Sequence, residues 1–171
     1  MKRSSKSFKL TVMALFVAIG LVLQYAEGLL IVTTVPGGKL GLCNIVSIIN
    51  IFMFGGTNAL GIAFVRSLLG GLISGGAIST VYSVAGAVFS TIAMSAVKKY
   101  MYPKLSMVGI SLVGATVHNL TQITVAVLFY KSIYLFSYVP LLMVFATASG
   151  CITGIAAQII SKRVLKGELT K

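Results

Sequence analysis

The chain has 171 residues, of which 57% are hydrophobic and 9% charged, with a mean hydropathy of +1.02 and a formal net charge of +12. A soluble domain carries about 25% charged residues, whereas here Arg66 is the only charge between Lys39 and Lys98, and Lys131 the only one between Lys104 and Lys162. Such stretches cannot form the wetted surface of a small soluble domain, and they specify an integral membrane protein.

The opening MKRSSKSFK runs into an apolar segment that starts at Leu10 and continues past Gln24 and Glu27. No small-x-small cleavage site interrupts it, so a retained first helix is expected over 10–31. Ala14 and Ala18 put two small side chains on one face of that helix, where another backbone could approach closely. The turn Pro36-Gly37-Gly38 precedes a second helix over 40–55, with Lys39 and Asn44 at its start. The outer loop from Gly28 to Leu40 is expected to bend over a bound molecule.

Gly55-Gly56-Thr57-Asn58 then breaks the chain before a third helix over 57–76, which carries Arg66 near its middle and Gly71-x-x-x-Gly75. Gly75-Gly76 leads to a fourth over 79–97, with Ser83 in its outer half. KKYMYPK separates it from a fifth over 105–130, and KSIYLFS separates that from a sixth over 137–161. Ala146, Gly150 and Gly154 form a ladder on the sixth, read as internal packing. Apolar runs of about 20 residues without period-2 alternation fit spanning helices and not a β-barrel.

The basic residues test this count. With both termini in the cytoplasm, 11 of the 14 lysines and arginines fall at cytoplasmic ends, and only Lys39 and Lys131 fall outside. That bias requires an even number of spans. The expectation is one domain over residues 1–171: an all-α, six-helix transmembrane bundle, multi-pass in the cytoplasmic membrane. The net charge then serves topology and anionic lipid, and no nucleic-acid partner is expected.

The missing residues narrow the function. There is no aspartate, and of the two glutamates Glu168 lies in the basic tail. That leaves no carboxylate pair for acid–base work and no acidic magnesium cluster for prenyl diphosphate synthesis. No GxxxxGK[ST] loop is present, and one histidine with two distant cysteines, Cys43 and Cys151, makes neither a zinc site nor a triad. The chain is therefore expected not to be an enzyme and to hold no metal or cofactor.

What remains is a sparse polar set. His118, Asn119 and Gln122 arrive together in ATVHNLTQIT, amid apolar sequence. Glu27, Lys39, Asn44, Arg66 and Ser83 complete the candidates for contacting a small molecule that enters from outside. Lys39, Arg66 and His118 against Glu27 make this region weakly cationic, which suits a carboxylate, a phosphate or an electron-rich ring. The competing reading is a structural network, with Glu27 paired to Arg66 and with His118 and Asn119 satisfying helix carbonyls.

Six helices, Ala14-x-x-x-Ala18 and no ATPase motif resemble the S component of an energy-coupling factor (ECF) transporter. GGKLGLCNIV (37–46), FVRSLLGGLISG (64–75) and GATVHNLTQ (114–122) resemble more closely one branch, the Gx transporter family or heptaprenyl diphosphate synthase component I. The resemblance implies a subunit that binds a vitamin-like nutrient or an isoprenoid- or quinone-related molecule. It also implies that the Ala14/Ala18 face docks on a transmembrane T component, which carries two ATPase subunits. Two rivals stand beside it. One is an accessory membrane subunit of prenyl diphosphate or quinone biosynthesis. The other is a secondary carrier using Glu27, for which no internal repeat speaks.

Overall fold

A computed structural model describes residues 6–30 and 41–169 of the chain. They form α1 (Lys6–Leu30), α2 (Asn44–Phe54), α3 (Gly56–Met101), α4 (Met107–Tyr130), a 3₁₀ helix (Ile133–Tyr138) and α5 (Val139–Leu169). Strands are absent among the described residues. The Pro36-Gly37-Gly38 turn and Lys39 lie outside the described residues.

Glycines set the breaks where the apolar pattern alone would run on. Gly55, with φ of 84°, separates α2 from α3, and Gly76, with φ of 74° and ψ of −169°, splits α3 into two limbs, Gly56–Ile73 and Gly76–Met101. L side chains rarely adopt such backbone angles. The limbs fold back on each other so closely that a Cβ on Gly71 would stand 2.5 Å from the Cα of Thr80. At the start of α4, Ser106 caps the helix by accepting the Gly109 N–H at 3.2 Å. The helix closes at Lys131 in the left-handed conformation.

Five helical segments are long and apolar enough to cross a membrane: Lys6–Leu29, Gly56–Ile73, Gly76–Met101, Met107–Tyr130 and Ile133–Arg163. Their outward surfaces expose large apolar side chains such as Leu15, Val22, Phe89, Leu128 and Ile152, which water would not tolerate in such number. The protein is a multi-pass membrane protein. The sixth apolar segment differs from the span expected over 40–55. As described, α2 has 11 residues, about 16 Å of helix against a hydrocarbon core of about 30 Å.

Contacts orient the helices. Gly154 faces Val108 and Ser111, and Gly150 faces Leu112 and Ala115, so α5 runs antiparallel to α4 and its small-residue ladder is internal packing. Lys98 donates to the Ile51 carbonyl at 2.7 Å, and Phe16 meets Phe54 edge-on at 6.2 Å. These contacts bring the start of α1, the end of α2, the end of α3, the start of α4 and the end of α5 to one end of the bundle. Lys6, Lys9, Lys98, Lys99, Lys104, Lys162 and Arg163 gather there, and Lys131 lies at the other. Near the basic end Ile48, Ile51, Ala59, Met94, Ile110 and Ala157 form the main apolar core, while Ile123 and Leu142 anchor a smaller one towards the far end.

Candidate functional site

Between these two apolar cores the bundle buries polar side chains from four helices. His118 stands at the midpoint of α4, and Arg66 lies about 15 Å along α3 from Gly56 at 1.5 Å per residue. α2 starts at this depth and runs to the basic end. Gln24, Glu27, Asn44, Arg66, Ser83, His118, Asn119 and Gln122 are all buried here, with Arg66 only 1% exposed. The layer extends from the middle of α4 and of the first limb of α3 towards the end away from the basic residues, where Gln24 and Glu27 lie near the close of α1.

Glycines make room for the polar side chains. The stem of Arg66 crosses α1 over Gly20, where a Cβ would overlap the Cδ of Arg66. Gln24, one turn on, lies against Gly70 of α3 at 2.5 Å from the position of a Cβ. His118 is wedged between two more. Its Cδ2 lies 3.5 Å from a Cβ built on Gly41, and its Cε1 lies 2.9 Å from one built on Gly86. Gly86 also receives Gln122, whose Cγ is 3.1 Å from the Cβ position. Ser83 is one turn from Gly86 on the same limb of α3.

The hydrogen bonds divide the layer in two. Glu27 is occupied by backbone: its Oε1 accepts the Gly41 N–H at 2.6 Å and its Oε2 the Leu42 N–H at 3.1 Å. Arg66 donates through Nη1 to Gln24 Oε1 at 3.5 Å, and no ion pair joins it to Glu27 among the described residues. Asn119 turns away from His118 and Gln122 and donates to the Leu142 carbonyl of α5 at 3.3 Å. Of the alternative network, the Asn119 bond to a helix carbonyl is present, and the Glu27–Arg66 pair is not formed among the described residues.

Against these stand buried polar atoms with no partner among the described residues. Both amide atoms of Asn44 and of Gln122 are in this class, as are Asn119 Oδ1, Gln24 Nε2, and Arg66 Nε and Nη2. An unpaired amide in an apolar medium costs roughly 1–3 kcal/mol by mutational measures. Five buried side chains share that condition, so the layer offers donors and acceptors together with one positive charge. No group of three or more potential metal ligands occurs among the described residues. The arrangement can bind a polar molecule.

Three cavities among the described residues lie elsewhere. One, of about 860 Å³, opens between the two limbs of α3 and is lined mostly by apolar residues, including Phe64, Leu68, Val84 and Phe89. The others lie near Gly56 and Ser95, and along Phe89 and Leu128, and none of the three borders the polar layer. Ala14 and Ala18 sit on the exposed face of α1, which packs against α3 and touches α2 only at its edge. Both are exposed among the described residues.

Sequence reasoning placed Gln24 in the first helix without counting it among the site residues. The signal was available in Gly20 and Gly70, two glycines inside apolar helices, each opposite a long polar side chain. Backbone donors such as Gly41 and Leu42 carry no sequence mark.

Residues 16–160 match the model of one protein family, described as heptaprenyl diphosphate synthase component I. No curated protein and no solved structure matches the chain.

Proposed function

We propose that this chain, which belongs to the heptaprenyl diphosphate synthase component I family, is the membrane-embedded substrate-binding subunit of an ECF-type importer. The observation that carries the reading is the pair Asn44 and Gln122, buried on α2 and α4 with no partner for their amides among the described residues. Polar groups at membrane depth persist where they meet a partner or a polar cargo. By the positive-inside rule the basic end faces the cytoplasm, which makes the membrane the cytoplasmic one and brings cargo to the layer from the opposite side. Both termini then lie inside, with α2 completing a six-segment bundle.

Such a protein has no catalysis of its own. The energy comes from two ATPase subunits through a transmembrane T component that docks on the exposed Ala14/Ala18 face. Its cargo is a vitamin-like or isoprenoid- or quinone-related small molecule. The family's description favours a second reading, an accessory membrane subunit of a prenyl diphosphate synthase. The chain itself has no aspartate for the magnesium-bound diphosphate that such synthesis handles.

Affinity purification from mild detergent separates the two. Recovery of an integral T-type subunit with two ATPases supports the importer, and Ala14→Trp should abolish that recovery. A soluble prenyltransferase recovered in their place would overturn it.

A further inference from the structure

We infer that the polar layer takes a molecule bearing a carboxylate, and that Arg66 grips the carboxylate side-on through Nε–H and Nη2–H. The inference rests on the reading of the layer as a ligand site and names the chemistry of the ligand.

The guanidinium carries its charge at every physiological pH and offers donors in a rigid plane. Nε–H and Nη2–H point the same way, at the spacing of two carboxylate oxygens, and this pair forms bidentate bonds with planar oxyanions. In this protein that edge is the one left without a partner among the described residues, while Nη1 is tied to Gln24. Gly20 and Gln24 hold the stem in place from α1, so the fork is fixed before anything binds.

Charge points the same way. A buried cation without an anion is costly, and removing one partner of a buried pair leaves an uncompensated charge. Glu27 is the other charged side chain buried in the bundle among the described residues, and its two oxygens already receive the Gly41 and Leu42 N–H groups. Arg66 thus calls for one negative charge from outside the chain. A monoanionic carboxylate supplies it, whereas a phosphate dianion would leave a second negative charge unmatched by described buried cations. Gln24 Nε2, on the amide that accepts from Nη1, is a further donor without a partner among the described residues. The carboxamides of Asn44 and Gln122 are left for a neutral polar group on the same molecule.

The test follows the Nε–H resonance of Arg66 by NMR in the full-length protein, labelled with ¹⁵N-arginine in detergent micelles. The signal is assigned by its loss in Arg66→Lys. The probes are sodium acetate and sodium benzoate, their neutral amides acetamide and benzamide, and inorganic phosphate. The expected result is a saturable downfield shift with a carboxylate, none with either amide, and at least tenfold weaker binding of that carboxylate by Arg66→Lys, followed by ligand-detected NMR. A shift with phosphate alone, or with none of the probes, overturns the inference. The underlying reading is checked separately through the compound that co-purifies with wild-type protein. If Asn44→Ala and Gln122→Ala lose that compound while the Arg66 signal stays silent, the site stands and the carboxylate falls. If wild type carries no compound and no probe moves the signal, both fall.

Discussion

Glu27, three turns from the basic-end contact of α1, accepts the backbone N–H of Gly41 at 2.6 Å. With its second oxygen on the Leu42 N–H at 3.1 Å, it fixes the turn from which α2 starts. Asn44, Ile45 and Val46 then donate to the carbonyls of Gly41, Leu42 and Cys43, and the helix begins at the level of Glu27 and His118. A carboxylate reaching from one helix to the first amides of another holds both Asn44 and the glycine that faces His118.

This linkage can be loosened without removing it. Glu27→Gln keeps one acceptor and loses the charge, and a hydrogen bond to a charged group is worth about 1.5–3 kcal/mol. Hydrogen exchange at the Gly41 and Leu42 amides should quicken by roughly tenfold or more, since about 1.4 kcal/mol is tenfold in an equilibrium. Unchanged exchange at both amides would show that other contacts hold this turn.

Gly86 tests the seat of His118 and Gln122. A methyl group there stands 2.9 Å from His118 Cε1 and 3.1 Å from Gln122 Cγ, closer than neighbours tolerate without shifting. Overpacking of this kind typically costs about 1–3 kcal/mol. Gly86→Ala is expected to lower unfolding stability by that amount and to weaken ligand binding. Gly61→Ala, where nothing lies within 4 Å of the new methyl, should leave binding unchanged. Equal behaviour of the two variants in both assays would remove Gly86 from the site.

The two small-residue stripes should respond in opposite ways. Gly154 has the Val108 Cα 2.7 Å from its Cβ position, so Gly154→Leu forces α4 and α5 apart and should strongly reduce the yield of folded protein. Ala14→Trp lies on an exposed face and should change stability by no more than about 0.5 kcal/mol. It should nonetheless stop transport by the assembled complex. Misfolding of the isolated Ala14→Trp protein would contradict the exposed placement.

The helices were legible because membrane hydropathy is a strong signal and because Gly55 and Gly76 mark their breaks. The length of α2 was not. An apolar stretch over 40–55 reads as a span, but Gly41 has φ of 75° and the helix begins only at Asn44, in a turn held by a side chain from α1. KSIYLFS reads as a break before the sixth helix, whereas Ile133–Tyr138 forms a 3₁₀ helix. Residue types in the site were legible, because Arg66 and the HNLTQ cluster stand out in apolar sequence. Their partners were not. The direction of Asn119 depends on where the Leu142 carbonyl lies, and the release of Arg66 from Glu27 depends on backbone amides that every residue type shares.

The measurement closest to the central claim takes Asn44→Ala and Gln122→Ala and determines two quantities for each. These are affinity for the compound that co-purifies with wild type, and unfolding free energy in detergent. Both amides are buried without partners among the described residues. Their removal should therefore leave stability unchanged or raise it, because the cost of desolvating an unpaired amide disappears. Affinity should fall roughly 2- to 10-fold, the equivalent of about 0.5–1.5 kcal/mol for a lost hydrogen bond. If stability falls while affinity holds within about twofold, a factor worth only about 0.4 kcal/mol, these side chains are structural and the ligand site is not here.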